Sequence, residues 1–155
     1  MTQLTKLSYG GTAAIVTSMG IIVGMGAATN SRATVVVSLL LVAVADNLTD
    51  SLAIHVYQES EKLEARQAFR STVTNFLTRF LVAAGFALMV VMIPPPYLMM
   101  TAIPWGMLLL GALTYFIARA RGAAPVTEIA KHLGAAVVVI AVSKIIGKWI
   151  STFLS

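Results

Sequence analysis

The residues best able to do chemistry in this sequence are Asp46, Asn47 and Asp50, which lie within one long apolar stretch. Residues four positions apart share one face of a helix, so the two aspartates lie a turn apart with Asn47 beside them. Carboxylate and amide oxygens are suited to hard divalent cations, and carboxylates can also carry protons. The spacing therefore predicts a site that binds or relays a cation.

The position of these acids near the middle of a membrane span limits where they can point. A carboxylate at the centre of a bilayer costs at least about 2.5 kcal/mol on the insertion scale, so we expect both acids to face the protein interior. A second interpretation needs no cargo, because intramembrane charges also form ion pairs. Arg79 lies at a depth similar to that of Asp50, and Lys144 could reach toward Asp46. The sequence leaves both interpretations open.

Several other side chains are candidate ligands. Met19 lies in the first apolar run at a depth comparable to that of Asp50, and transition metals accept its thioether. His55 is a candidate metal ligand or proton acceptor, or an ordinary residue at the membrane interface. The segment from Glu59 to Arg70 mixes acids and bases, which is typical of a solvated charged helix. Its acids form a possible cytoplasmic entrance for cations: Glu59, Glu61 and Glu64.

Composition indicates that membrane helices must position these residues. The chain has 155 residues, of which 58% are hydrophobic and 11% charged, and its mean hydropathy is +0.87. Soluble domains have roughly a quarter of their residues charged. About five helices of about 20 residues each, the length that crosses the bilayer, would use most of the chain. We therefore predict an all-α polytopic protein with a single transmembrane domain over residues 1–155 and helices at about 10–29, 34–57, 71–93, 97–118 and 127–150.

Charge and residue types further narrow the function. The net charge of +5 comes mainly from residues that flank apolar runs, which orient helices in a membrane, so no nucleic-acid partner is expected. The positive-inside rule predicts an N-in, C-out topology in the cell membrane. The chain has no cysteine, which excludes disulfides and thiolate ligands. No facing nucleophile and base can be identified, so neither an enzyme nor a permanent cofactor is expected. The cations placed in the cytoplasm are Lys6, Lys62, Arg66, Arg70, Arg119 and Arg121.

Three stretches carry a family resemblance: residues 15–24, residues 45–61, and residues 133–136 followed by 143–147. They resemble the first, second and last helices of the vacuolar iron transporter family of divalent-metal exporters. The resemblance implies five transmembrane helices and a homodimer, and it is to a small, prokaryotic-type member. The glutamate-rich cytoplasmic domain of eukaryotic members is replaced here by the short segment that begins at Glu59.

This sequence departs from the family at the positions expected to bind metal. The family's Asn-Asp-Gly in helix one falls on Thr12, Ala13 and Ala14, so the membrane carboxylate of that helix is missing. The family's methionine in helix two falls on Asp50, and its Gly-Glu-Tyr falls on residues 53–55. The resemblance therefore implies the fold more directly than it implies iron as the cargo.

Two glycines bear on assembly. Gly20 and Gly24 form a face of small residues that permits close helix approach, either in a dimer or within the chain. Together with the resemblance, this predicts a homodimer packed partly through helix one. The leading functional prediction is a homodimeric transporter of a divalent cation, Fe²⁺ or Mn²⁺, coupled to protons. The alternative is a non-transporting membrane interaction protein whose intramembrane acids are ion-paired.

Overall fold

The fold consists of long α-helices. The computed structural model describes residues 3–60 and 65–153, and within these ranges it contains no strand. The helices are α1 Gln3–Ala28, α2 Arg32–Leu41, α3 Asn47–Ser60, α4 Ala65–Met92, α5 Pro95–Ala120 and α6 Pro125–Phe153, and a π-helical turn, Val42–Asp46, joins α2 to α3.

Five spans of these helices are long and apolar enough to cross a membrane. They are Gly10–Ala28, Arg32–Gln58, Phe69–Met92, Pro95–Ala120 and Pro125–Phe153. The second span contains α2, the π turn and α3, so the six helices make five crossings. The prediction of an all-α polytopic membrane protein with five transmembrane helices is confirmed.

Local sequence signals explain where these helices begin and end. The Ser31 side chain accepts a hydrogen bond from the backbone N–H of Thr34 and caps α2. The proline run ends α4 as predicted, and α5 begins at Pro95, where the missing N–H costs nothing. Gly122 has a φ of +67°, which a glycine adopts readily in the turn before α6. A helix is predicted over 59–70, and both ends of that segment are helical, since α3 includes residues 59–60 and α4 includes residues 65–70. Glu61 and Glu64 lie outside the described residues.

Helix α1 lies at the centre of the bundle and packs against α2, α4, α5 and α6. Met19 is fully buried in the apolar core and fills space that Gly106 of α5 leaves open, since a Cβ at position 106 would collide with the Met19 sulfur. The thioether predicted as a metal ligand therefore serves helix packing.

The glycine face of α1 packs against α6 of the same chain. A Cβ at Gly20 would lie 3.1 Å from Oγ of Ser143, and one at Gly24 would lie 3.2 Å from the carbonyl oxygen of Ser143. Gly147 of α6 approaches so closely that its own Cβ would collide with the carbonyl oxygen of Gly24. The prediction that the glycine face of α1 forms the homodimer contact is wrong, because α6 of the same chain already covers this face.

Candidate functional site

Polar side chains join α3 to α4 along the length of their contact. The Gln58 side chain donates from Nε2 to Oγ of Ser71 at 2.9 Å. One turn deeper, Nδ2 of Asn75 donates to Oγ of Ser51 at 3.0 Å. All four side chains are buried, and hydrogen bonds offset part of the cost of placing polar groups away from water. We call these residues the α3–α4 ladder.

Arg79 lies at the deep end of the α3–α4 ladder and binds three side chains of the second span. Its Nε donates to Oδ1 of Asn47 at 2.8 Å, its Nη1 to Oδ2 of Asp50 at 2.5 Å, and its Nη2 to Oδ2 of Asp46 at 3.1 Å. The residue is only 5% exposed. One guanidinium therefore binds both carboxyl groups, so the cluster contains two acidic side chains and one basic one.

The π turn helps to orient Asn47, one of the three side chains that bind Arg79. Asn47 follows the turn directly, and its Nδ2 donates to the carbonyl oxygen of Ala43 at 2.9 Å. The same side chain thus satisfies a backbone carbonyl inside the turn and accepts a hydrogen bond from Arg79. Single π turns within α-helices are frequent at functional sites.

The two acids differ in their surroundings. The Asp50 side chain is 31% exposed, whereas the Asp46 side chain is 57% exposed. Asp50 lines a cavity, as predicted for an interior acid, but the prediction that Asp46 also faces the interior is wrong for the single chain. Lys144 does not pair with Asp46, whose partner among the described residues is Arg79.

A cavity of about 780 Å³ lies beside Asp50. It extends from Asp50, about two turns before the end of the second span at Gln58, toward the end of α5 and the start of α6, where Arg121, Glu128 and His132 lie. Glu128 is paired with Lys131 at 2.8 Å. On the predicted topology this end of the bundle faces the cytoplasm. The remaining lining residues are Thr12, Ala13, Ala53, Ile54, Tyr57, Gln58, Ser71, Asn75, Thr114, Ile117, Ala118 and Ala123.

Three of the residues that line the cavity carry a buried oxygen that lacks a hydrogen-bond partner within the described ranges. They are Oε1 of Gln58, Oδ1 of Asn75 and Oγ1 of Thr114. Buried polar atoms are nearly always hydrogen-bonded, so an unpaired one needs an explanation such as a bound water or ion. Gly10 of α1 allows Asn75 to pack closely, because a Cβ there would come within 2.5 Å of the Asn75 oxygen.

The structure brings together only part of the predicted metal site. Asp46, Asn47 and Asp50 converge on Arg79, whereas Met19 is in the apolar core and Nδ1 of His55 lies 3.2 Å from Oγ1 of Thr72. Across residues 3–60 and 65–153, no group of three acidic, histidine or cysteine side chains could hold a metal ion. Glu59 is the last acid of α3 inside the described residues.

Sequence reasoning missed the α3–α4 ladder and the unpaired oxygens of Gln58, Asn75 and Thr114. A signal was present, because polar residues recur every four positions on each helix: Asn47 and Ser51 on one, and Ser71, Asn75 and Arg79 on the other. Residues at that spacing share a helix face. Thr114 gives no comparable signal, since it stands alone in an apolar stretch.

No family model, curated protein or solved structure matches this chain. The likeness to the vacuolar iron transporter family therefore remains a resemblance, and the functional argument depends on the geometry of the chain itself.

Proposed function

We propose that this protein is a transporter in the cell membrane that carries a divalent cation through the cavity and exchanges it for protons at Asp50. The observation that supports this most strongly is the cavity itself, which places an intramembrane carboxylate at the end of a partly polar space. Acids within membrane spans are rare and usually mark ion pathways or proton relays. Exchange can be tested as Mn²⁺ uptake by liposomes that contain the purified protein, compared with protein-free liposomes.

Arg79 gives the proposed exchange a resting state. Of the two carboxylate oxygens of Asp50, only Oδ2 has a hydrogen-bond partner among the described residues, and that partner is Nη1 of Arg79. A cation or a proton that binds Asp50 weakens its attraction to the guanidinium, and either one therefore competes with Arg79 for the same carboxylate. Competition at one site is the simplest basis for antiport, because binding of the cation releases the proton. The resemblance to divalent-metal exporters makes Fe²⁺ and Mn²⁺ the first cargo to test.

The exposed side chain of Asp46 favours a homodimer through the second span. A carboxylate held against hydrocarbon is costly, so something other than lipid must cover it. The surface around Asp46 includes Ala45, Leu48 and Thr49, all exposed in the single chain. We therefore propose that the dimer contact lies on this surface around Asp46 and not on the glycine face of α1.

Cysteine crosslinking tests this placement on a chain that has no native cysteine. Thr49→Cys lies one turn from Asp46 on the exposed surface, and we expect a short thiol crosslinker to convert it to a covalent dimer in membranes. Val138→Cys, on an exposed part of α6, is the matched control and should remain monomeric on gels. Dimer formation at position 138 without dimer formation at position 49 would place the interface on α6.

The second candidate is a non-transporting membrane protein whose acids are ion-paired. The observation that favours it is that Arg79 binds both Asp46 and Asp50. In that case the cluster specifies how α3 packs against α4, and Mn²⁺ uptake would not exceed that of protein-free liposomes.

A further inference from the structure

Most of the surface that lines the cavity is apolar. Helix α3 packs against α4, and across residues 3–60 and 65–153 no packing of comparable extent joins it to α1, α5 or α6. The cavity fills the gap that remains between these helices. Apolar walls give water few hydrogen-bond partners, so they favour a ligand with an apolar body. The apolar side chains of the walls are Ala13, Ala53, Ile54, Ile117, Ala118 and Ala123.

Asp50 supplies an accessible carboxylate oxygen at the deep end of this cavity. Its Oδ2 accepts a hydrogen bond from Nη1 of Arg79. Its Oδ1 has no hydrogen-bond partner among the described residues, and it is not one of the atoms that are buried there without a partner. The side chain is 31% exposed and lines the cavity. A ligand in the cavity can therefore approach an anionic group while it packs against apolar walls.

The cavity has the size of a site for an organic molecule. Such sites enclose about 300–1,000 Å³, and this cavity encloses about 780 Å³. A bare divalent metal ion instead needs several oxygen ligands around it, and no group of three acidic, histidine or cysteine side chains in the described part of the chain could hold one. An organic cation whose charge is covered by apolar groups needs one counter-charge and walls against which its body can pack.

We infer that the cavity also binds a lipophilic organic cation of the quaternary phosphonium or ammonium class, with its charge beside Asp50 and its apolar groups against α3 and α5. Such a cation holds water weakly, so little hydration is lost when it enters an apolar cavity. Tyr57 adds an aromatic ring to the lining, and aromatic faces attract cations. This binding goes beyond the proposed metal exchange and does not depend on it, because it requires only the carboxylate and the cavity walls.

Tetraphenylphosphonium tests the inference, with tetraphenylborate as an anion of nearly the same shape. We expect calorimetry on the purified protein to show saturable binding of the phosphonium and none of the borate. Asp50→Asn should weaken phosphonium binding by about tenfold or more, because opposite charges attract more strongly in a partly buried site than in water. Ala53→Trp should weaken it at least as much, since Ala53 is exposed in the lining and an indole ring there fills part of the cavity.

Ala130→Trp is the matched control, because it makes the same change at an exposed position of α6 outside the lining. It should leave phosphonium binding unchanged, and thermal unfolding checks that each variant is folded. The inference is overturned, even where Mn²⁺ uptake is normal, if the phosphonium does not bind, if the borate binds equally well, or if Asp50→Asn or Ala53→Trp binds the phosphonium as tightly as the wild type. If binding depends on Asp50 but Mn²⁺ is not taken up, the site for organic cations stands and the metal transport proposal fails.

Discussion

Asp50→Asn is expected to reduce cation uptake to the level of protein-free liposomes while the protein still folds and inserts. The amide has nearly the same shape as the carboxylate, and its oxygen can still accept from Nη1 of Arg79, as Oδ2 of Asp50 does. It cannot bind the exchanged proton or supply negative charge to a cation. The measurements are the initial rate of Mn²⁺ uptake and the thermal unfolding of the purified protein.

Asp46→Asn is the matched control for this experiment. Both acids pair with Arg79, but Asp46 is 57% exposed and is not part of the cavity lining. We expect this variant to keep a measurable rate of uptake. Equal loss of uptake in the two variants would mean that the total charge of the cluster, rather than the position of Asp50 in the cavity, determines transport.

Arg79→Gln is expected to lower stability by about 1–3 kcal/mol, the cost of leaving hydrogen-bonding groups without a partner, because Arg79 is buried while Asp46 and Asp50 are partly exposed. The substitution leaves Asp46 and Asp50 without their shared cation and removes the donor to Asn47. Thermal unfolding in detergent measures the effect. Arg119→Gln is the control, because Arg119 is exposed at the end of α5 and surface substitutions usually change stability by less than about 0.5 kcal/mol.

Combining Arg79→Gln with Asp50→Asn separates the two roles proposed for Asp50. Removing both charges should recover part of the stability, because Asp50 then has no unpaired charge, although Asp46 still lacks Arg79. If Asp50 binds the cargo, the double variant remains inactive in Mn²⁺ uptake. Full uptake by the stable double variant would show that Asp50 only neutralises Arg79.

The elements of the fold were accessible from sequence, because each crossing needs a long apolar run and each break has a local cause such as the prolines after Ile93. Contacts between helices were less accessible. Gly20 and Gly24 indicated close approach, but a small-residue face does not identify its partner, and that partner is α6. Asp46 and Asp50 were correctly placed on one face, yet sequence could not show that Arg79 would bind both.

The candidate site was also predicted only in part, for a physical reason. Charged groups in a span stand out because their burial is costly, and this singled out Asp46, Asp50 and Arg79. Neutral groups such as Gln58 and Thr114 are cheaper to bury and common in membrane helices, so their role depends on which atoms remain unpaired after packing. Only the three-dimensional arrangement shows that Oε1 of Gln58 and Oγ1 of Thr114 lack hydrogen-bond partners among the described residues.

The most direct test of the account measures Mn²⁺ and proton movement together in liposomes that contain the purified protein and a pH-sensitive dye. The account predicts that Mn²⁺ entering the wild-type liposomes drives protons outward, that an acidic interior accelerates Mn²⁺ uptake, and that Asp50→Asn shows neither effect. Folded wild-type protein that gives no Mn²⁺ flux above protein-free liposomes, with or without a pH gradient, would contradict the proposed function.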